Sequence, residues 1–482
     1  MKKIIENYLQ KYNGMSIALK ASLWYTICNI LQKGIALIVV PIYTRTLPKA
    51  EYGRYTVFQS WCNILIVFAT LNLYCGVYTK AIVDHKDDRD RYTSCMQSLS
   101  SIITAVLFAL YLTNVESINS FLGMSTKTVC FMFLYFLFYP ALTFWTVRQR
   151  VEYKYKEMVF VTLAVSILTP VLSLILLFAT NLQAEAVIWG FLFTQSIFGA
   201  YFFVRQFVKG KSFYIKEYWK YALKFNIPLI PHYLSLIVLG QSDRIMIESY
   251  CGEEKAAIYS LAYQVAMIMN IFINAVNNTL VPWTYECLKE RTLDTVRKIC
   301  KSLCLLMGVF TVCAILVGPE IVLIMGSNEY MEAIWIIPSV AISVFFTFCY
   351  GLFSTVEFYY GATKYVMVAS VVGAISNVIL NAVYIPKYGY IAAGYTTLFC
   401  YFLFMIMHYL FMKKVCKKET NGENVYDIGF MALSCILICL CGAGCLLLYN
   451  YLVARWIVIV LICVVLFAYR KKIILLLKNI KA

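Results

Sequence analysis

Apolar runs of about twenty residues recur along the whole chain, separated by short polar and basic connections. A helix needs about 20 mostly apolar residues to cross the hydrocarbon core of a bilayer. The pattern predicts fourteen such helices, near 17–43, 55–79, 94–115, 127–147, 158–180, 185–207, 227–250, 257–283, 299–318, 331–355, 365–386, 390–412, 428–449 and 452–469. The tenth and eleventh are the least cleanly separated, because 356–365 carries only Glu357 and Lys364. The expected fold class is an all-α polytopic membrane protein. Loops are short on both sides, so none can fold into a soluble catalytic or nucleotide-binding domain.

Composition agrees. Of 482 residues, 61% are hydrophobic and 14% charged, against about 45–50% and about 25% in soluble domains. The net charge of +17 would suit nucleic acid only as a basic stripe on a soluble face. Here the charge sits in clusters between spans, and no nucleic-acid partner is expected. With the N-terminus inside, 33 of the 42 Lys and Arg fall in inside segments and 7 outside. Lys33 and Arg244 remain within spans. Membrane proteins keep their basic residues cytoplasmic, so both termini are expected there. The first apolar run is too long for a signal peptide and lacks a small-residue cleavage site. Gly210-Lys211-Ser212 resembles the end of a P-loop, but Arg205 stands where the first Gly belongs, which excludes that motif.

The eighteen Cys lie mostly inside spans with no metal-ligand spacing, and read as small hydrophobes between helices. His85, His232 and His408 are isolated from ligand partners along their own helices. No metal and no cofactor are expected. Pro228 and Pro231 together should make the inner end of the seventh span irregular, as a hinge or as a packing kink.

Several spans carry polar stripes at helical spacing. These are His232, Ser235 and Asp243 on the seventh span, and Asn270, Asn274, Asn277 and Asn278 on the eighth. Ser343, Thr347, Tyr350, Ser354 and Glu357 follow on the tenth, and Ser370, Gly373, Asn377 and Asn381 on the eleventh. The fifth has Thr162, Ser166, Thr169 and Ser173; the first has Asn29, Gln32 and Lys33; the second has Gln59 and Asn63. Any one stripe can be ordinary helix–helix glue. Seven together point to a shared hydrated cavity. Charges at a helix centre cost about 2.5–3.5 kcal/mol each, so they face a cavity or a partner. Lys33 and Asp243 fall in the outer half of the membrane, His232 and Glu357 in the inner half. Adjacent Asp243 and Arg244 point about 100° apart, so at least one should seek a partner on another helix. Structural ion pairing and snorkelling remain alternatives.

The chain also repeats itself weakly. Tyr55 and Tyr259 are 204 residues apart, as are Gly190 and Gly394. Both halves begin inside and contain six spans, which makes them parallel repeats. The expected organisation is an N-terminal six-helix bundle over 1–208, a cytoplasmic linker over 209–226, a C-terminal six-helix bundle over 227–414, and two further helices with a basic tail over 415–482.

Tyr43-Thr44-Arg45-Thr46-Leu47 and Glu51-Tyr52-Gly53-Arg54-Tyr55 resemble the opening signature of Wzx-type polysaccharide flippases, which share a superfamily with multidrug and toxin extrusion transporters and lipid II flippases. Ser242-Asp243-Arg244-Ile245-Met246-Ile247 followed by Ile258-Tyr259-Ser260-Leu261-Ala262-Tyr263 is similar to the same family. So is Gly361-Ala362-Thr363-Lys364, then Asn377 and Asn381, then Ile385-Pro386-Lys387-Tyr388-Gly389. Pro48 departs from the pattern, standing where the family has Gly.

The resemblance implies a non-enzymatic, two-bundle transporter in the bacterial cytoplasmic membrane. It would carry an undecaprenyl-pyrophosphate-linked oligosaccharide from the inner to the outer leaflet for O-antigen or capsule synthesis. A polysaccharide polymerase and a chain-length regulator would be further partners. Lys33, Arg45 and Arg244 would meet the pyrophosphate. Asp243, Gln59, Asn63, Asn274 and Asn377 would complete the substrate site, with His232, Glu357 and Lys364 in the inner, gating half. Two rivals remain. A multidrug antiporter of the same superfamily would favour an acidic, aromatic cavity. A membrane polymerase or ligase would carry a large extracytoplasmic loop, which this chain lacks.

Overall fold

The computed structural model describes residues 12–479, with side chains described through Arg470. Among the described residues there are eighteen α-helices and no strand. They are α1 (Ile17–Thr46), α2 (Lys49–Thr70), α3 (Val77–Asp84), α4 (Arg89–Leu112), α5 (Val115–Leu122), α6 (Thr126–Val151), α7 (Tyr155–Ala179), α8 (Ala184–Gly210) and α9 (Lys216–Asn226). The chain continues through α10 (Ile230–Cys251), α11 (Glu253–Glu290), α12 (Leu293–Leu316), α13 (Gly318–Gly326), α14 (Ile337–Tyr359), α15 (Thr363–Tyr388), α16 (Ile391–Glu419), α17 (Ile428–Leu448) and α18 (Leu452–Asn479). Among the described residues, thirteen helical stretches are long and apolar enough to cross a membrane. The second of the fourteen expected spans is not among them. It is helical as α2, but Lys49, Glu51 and Arg54 dilute its hydropathy.

Helix ends follow backbone chemistry more than hydropathy. The second span begins earlier than its apolar run, because Lys, Glu and Arg are good helix formers and Glu51 pairs with Arg54 at 3.1 Å. Its expected stretch to 79 breaks at a turn where Leu71, Asn72 and Gly76 all take positive φ. The tenth span starts later than expected. Residues Asn328–Trp335 form a 3-10 helix, and α14 opens with Pro338 in its first turn, where its missing N–H is harmless. Ser125 caps α6 and Asp427 caps α17, each accepting from a backbone N–H three residues on.

The helices gather into two compact units. The first comprises Met1–Tyr43 and Phe58–Tyr233, the second Thr44–Val57 and Leu234–Ala482. In the first, Tyr78, Tyr92, Cys95, Met96 and Phe144 form a buried core with the inward face of α9. The stretch expected as a linker is therefore partly an ordered helix. Between α9 and α10, Ile227–Leu229 form one 3-10 turn, so the Pro228/Pro231 region is locally irregular.

In the second unit the N-terminal end of α2 crosses that of α11. A Cβ at Gly53 would lie 2.0 Å from the carbonyl oxygen of Glu253, so only glycine permits the approach. One turn on, Ser260 bonds Thr56 at 3.0 Å. Those two residues are 204 apart, the offset that relates Tyr55 to Tyr259. Gly190 and Gly394 also mark close helix contacts, against Ser173 and Ser339 respectively.

Ion pairs cluster at helix ends. In the first unit Glu152 accepts from Arg148 at 2.7 Å and Lys154 at 2.6 Å, and Arg148 also binds Asp90. Burial works to raise the Glu152 carboxyl, but those two cations outweigh it and hold it below the usual carboxylate range.

Candidate functional site

The second unit contains a buried polar network centred on Asp243, which is 1% exposed. Asp243 Oδ1 accepts from Asn381 Nδ2 at 2.6 Å. Its Oδ2 accepts from Tyr259 at 2.5 Å and from Thr397 at 2.7 Å. One carboxylate on α10 therefore ties α11, α15 and α16. Asn377 extends the network: its Oδ1 accepts from Ser242 at 2.9 Å and from Asn381 at 3.2 Å, and its Nδ2 donates to Thr397 at 3.2 Å. Thr396 donates to Asn381 Oδ1. Every contact that reaches Asp243 is a donor, the arrangement that satisfies a buried carboxylate.

Arg244 behaves differently, as its offset around the helix requires. Its guanidinium donates to Gly240 O at 2.8 Å and Gln241 Oε1 at 3.1 Å on its own helix, and lies 4.6 Å from the ring centre of Tyr263. A cation over an aromatic face is held without an anion. Its charge stays uncompensated by any ion pair among the described residues.

A second buried pair lies farther along the same unit. His408 Nδ1 sits 3.0 and 3.1 Å from the two oxygens of Glu357, and both residues are fully buried. The imidazole stacks on Tyr350 and meets Phe404 edge-on. Along its own helix His408 looks isolated, but it has this partner on α14. Both residues stand near the C-terminal ends of parallel-running spans, so equal depth was readable in the sequence and adjacency was not.

The other expected site residues divide between the units. In the first, Lys33 is half-buried on α1 and makes no ion pair among the described residues, while Gln32 beside it donates to Ser166 at 3.1 Å. Gln59 is half-buried and Asn63 exposed on α2. His232 is half-buried at the start of α10, against Tyr233. In the second, Arg45 donates to Ile324 O at 2.7 Å, capping the end of α13. Asn274 is exposed on α11, as is Lys364 on α15.

The polar stripes have separate fates. On α15, Asn377 and Asn381 are fully buried and taken up in the Asp243 network, while Ser370, also buried, donates to Met367 O on its own helix. That of α7 turns largely on its own backbone, Ser166 donating to Thr162 O and Thr169 to Val165 O. That of α11 stays open: Asn274 and Asn278 are exposed, Asn270 and Asn277 half-buried. Tyr259, Tyr263 and Thr397 belong to the site; in the sequence the two tyrosines stood out only within the repeat and the family motif, and Thr397 not at all. Beside the network, Tyr384, Tyr388, Tyr395, Thr396 and Phe399 line a groove of about 520 Å³ on α15 and α16. Among the described residues no group of three His, Cys, Asp or Glu side chains is placed to hold a metal.

The chain is 24% identical to Lsg locus protein 1 of Haemophilus influenzae over 382 residues, 74% of this chain and 88% of that one. Its fold superposes on the lipid II flippase MurJ in an inward closed conformation, with a TM-score of 0.67 and 15% identity, covering 94% of this chain and 99% of MurJ. It also superposes on an inward-facing multidrug resistance transporter of the MATE family, in the MOP superfamily, with a TM-score of 0.61 and 13% identity, covering 84% and 100%. The family model described as polysaccharide biosynthesis protein matches residues 18–287. The chain shares its fold with these two transporters, and with more than half its length matched it belongs to the polysaccharide biosynthesis protein family.

Proposed function

We propose that the protein is a flippase that moves a polyprenyl-pyrophosphate-linked oligosaccharide from the inner to the outer leaflet of the bacterial cytoplasmic membrane by alternating access. The observation that carries the reading is membership of a polysaccharide biosynthesis family on a fold shared with a lipid II flippase. The side chains supply suitable chemistry. Among the described residues Lys33 and Arg244 enter no ion pair, and as cations within spans they suit a pyrophosphate headgroup. The exposed amides of Asn274 and Asn278 on α11 suit sugar hydroxyls. Asp243 acts through position: its three donors fix α10, and with it Arg244, against α11, α15 and α16. His232, Glu357 and Lys364 belong to the inner half, and Arg45, Gln59, Asn63 and Asn377 complete the assignment.

The multidrug alternative requires an acid open to a cationic substrate. Both oxygens of Asp243 and of Glu357 are engaged by neighbouring side chains, which favours the polysaccharide reading. A flippase moves its substrate without making or breaking a bond. Purified protein in liposomes should therefore transfer no sugar to a lipid carrier.

The test scores surface polysaccharide beside immunoblot abundance for Lys33→Ala and Arg244→Ala. Loss of export with normal abundance, and a lipid-linked intermediate accumulating on deletion, is the expected outcome. Normal export by both abundant variants would remove the cations from the substrate site.

A further inference from the structure

Helix α9 carries two faces with different tasks. Its inward face is committed. Tyr218, Tyr221, Ala222 and Phe225 pack into the core of the first unit, Trp219 Nε1 donates to Cys95 O at 3.1 Å, and Asn226 donates to Leu71 O at 2.7 Å. Its other face is not. Lys216, Lys220 and Lys224 recur every four residues, which places them on one stripe. All three are exposed, and none enters an ion pair among the described residues. Together with Trp219, Ile227 and Pro228 they line a groove of about 710 Å³.

The dimensions select the occupant. Eight residues of helix span about 12 Å, too long a row for one phosphate or one pyrophosphate to meet all three ammonium groups. A row of separate monoanionic headgroups matches it. Ile227 and Pro228 are exposed apolar residues at the end of the stripe, where a headgroup region gives way to acyl chains. The distribution of Lys and Arg puts this end of the chain's helices at the inner leaflet. Clusters of basic residues at that level attract anionic lipids.

We propose that α9 is a docking surface for anionic phospholipids of the inner leaflet, with Lys216, Lys220 and Lys224 each meeting a phosphodiester headgroup. The surface anchors the first unit directly before the 3-10 turn that leads into α10. It is independent of what the protein transports.

The test uses the full chain in phosphatidylcholine nanodiscs with and without phosphatidylglycerol. Wild type should unfold at a higher temperature with phosphatidylglycerol, and high salt should abolish the rise. The variant Lys216→Gln/Lys220→Gln/Lys224→Gln should match wild type in phosphatidylcholine alone and lose the rise. Its affinity for phosphatidylglycerol should fall roughly a hundred-fold, at about five-fold per lysine. The variant Arg205→Gln/Lys209→Gln/Lys211→Gln removes the same charge from exposed positions nearby and should keep the rise. Equal loss in both variants would reduce the effect to net charge and overturn the proposal. So would a rise that survives in the first variant. A lysine-dependent rise with trace polyprenyl pyrophosphate in phosphatidylcholine discs, equal to that with phosphatidylglycerol, would assign the groove to the carrier lipid and also overturn it.

Discussion

Replacing Asp243 separates the two tasks its surroundings allow. Asp243→Ala withdraws the acceptor from three buried donors on three helices: Tyr259, Asn381 and Thr397. If each bond is worth the average interhelical hydrogen bond in a membrane, the loss is about 2 kcal/mol. If each has the strength of a bond to a charged group, it is about 4.5–9 kcal/mol. Asn381 keeps an acceptor in Asn377 at 3.2 Å, but Thr397 only accepts from Asn377, so the donors left worst off are the hydroxyls of Tyr259 and Thr397. Asp243→Asn keeps the shape and one acceptor oxygen, and hydroxyls can turn to accept from its new amide. Its loss should stay near 1 kcal/mol.

Thermal unfolding of the purified variants, beside immunoblot abundance and export of surface polysaccharide, reads both consequences. A clamp role requires Asp243→Ala to lower both stability and abundance, with export falling in proportion, and Asp243→Asn to recover most of each. Asp243→Ala with wild-type stability would refute the clamp. An Asp243→Asn protein that is stable and abundant but exports nothing would show instead that the carboxylate charge itself acts on the substrate.

Three further outcomes follow from the packing. Gly53→Ala should lower stability by about 2 kcal/mol or more through overpacking, because its Cβ would meet the backbone of Glu253 at 2.0 Å; an unchanged unfolding temperature would contradict that crossing. His408→Leu should destabilise by about 3–5 kcal/mol by stranding Glu357, and the double change with Glu357→Leu should recover most of it, as unfolding of the single and double variants would show. Glu152 is held below its ordinary carboxylate value, so its ion pairs stabilise above about pH 4.3 and that contribution is lost as pH falls through its folded-state value; the stability gap between wild type and Glu152→Gln should therefore narrow on acidification, and a constant gap would remove the electrostatic account.

Hydropathy made the spans legible, since solvent preference is a property of composition alone. It could not find α9, whose Lys, Glu and aromatic residues average to no preference, because that helix is stabilised by packing against the first unit's core. Nor could it fix where α2 begins, because Glu51 and Arg54 are hydrophilic yet favour a helix. For the site, Asp243, Arg244, Asn377 and Asn381 stood out as polar groups at membrane depth. Tyr259 and Thr397 did not, because each is unexceptional in a span until a carboxylate on another helix is known to face it. His408 was read as isolated for the same reason: spacing along one helix shows neighbours on that helix, and its partner Glu357 is on another.

The opposite fates of two similar stripes have a geometric origin. On α15 the amides Asn377 and Asn381 lie within about 40° of each other around the helix, with Ser370 and Gly373 leaving room beside them. Neighbouring helices can then close over that line, and Asp243, Thr396 and Thr397 satisfy its polar atoms. On α11 the four amides from Asn270 to Asn278 spread over about 100°, because Asn277 and Asn278 are adjacent. One packed neighbour cannot cover so broad an arc, so Asn274 and Asn278 stay exposed. An unpaired amide facing lipid would cost several kcal/mol, which a broad polar face avoids only by meeting water or a polar ligand. The breadth of a stripe, more than its polarity, therefore separates a seam that closes within the second unit from a face that stays open.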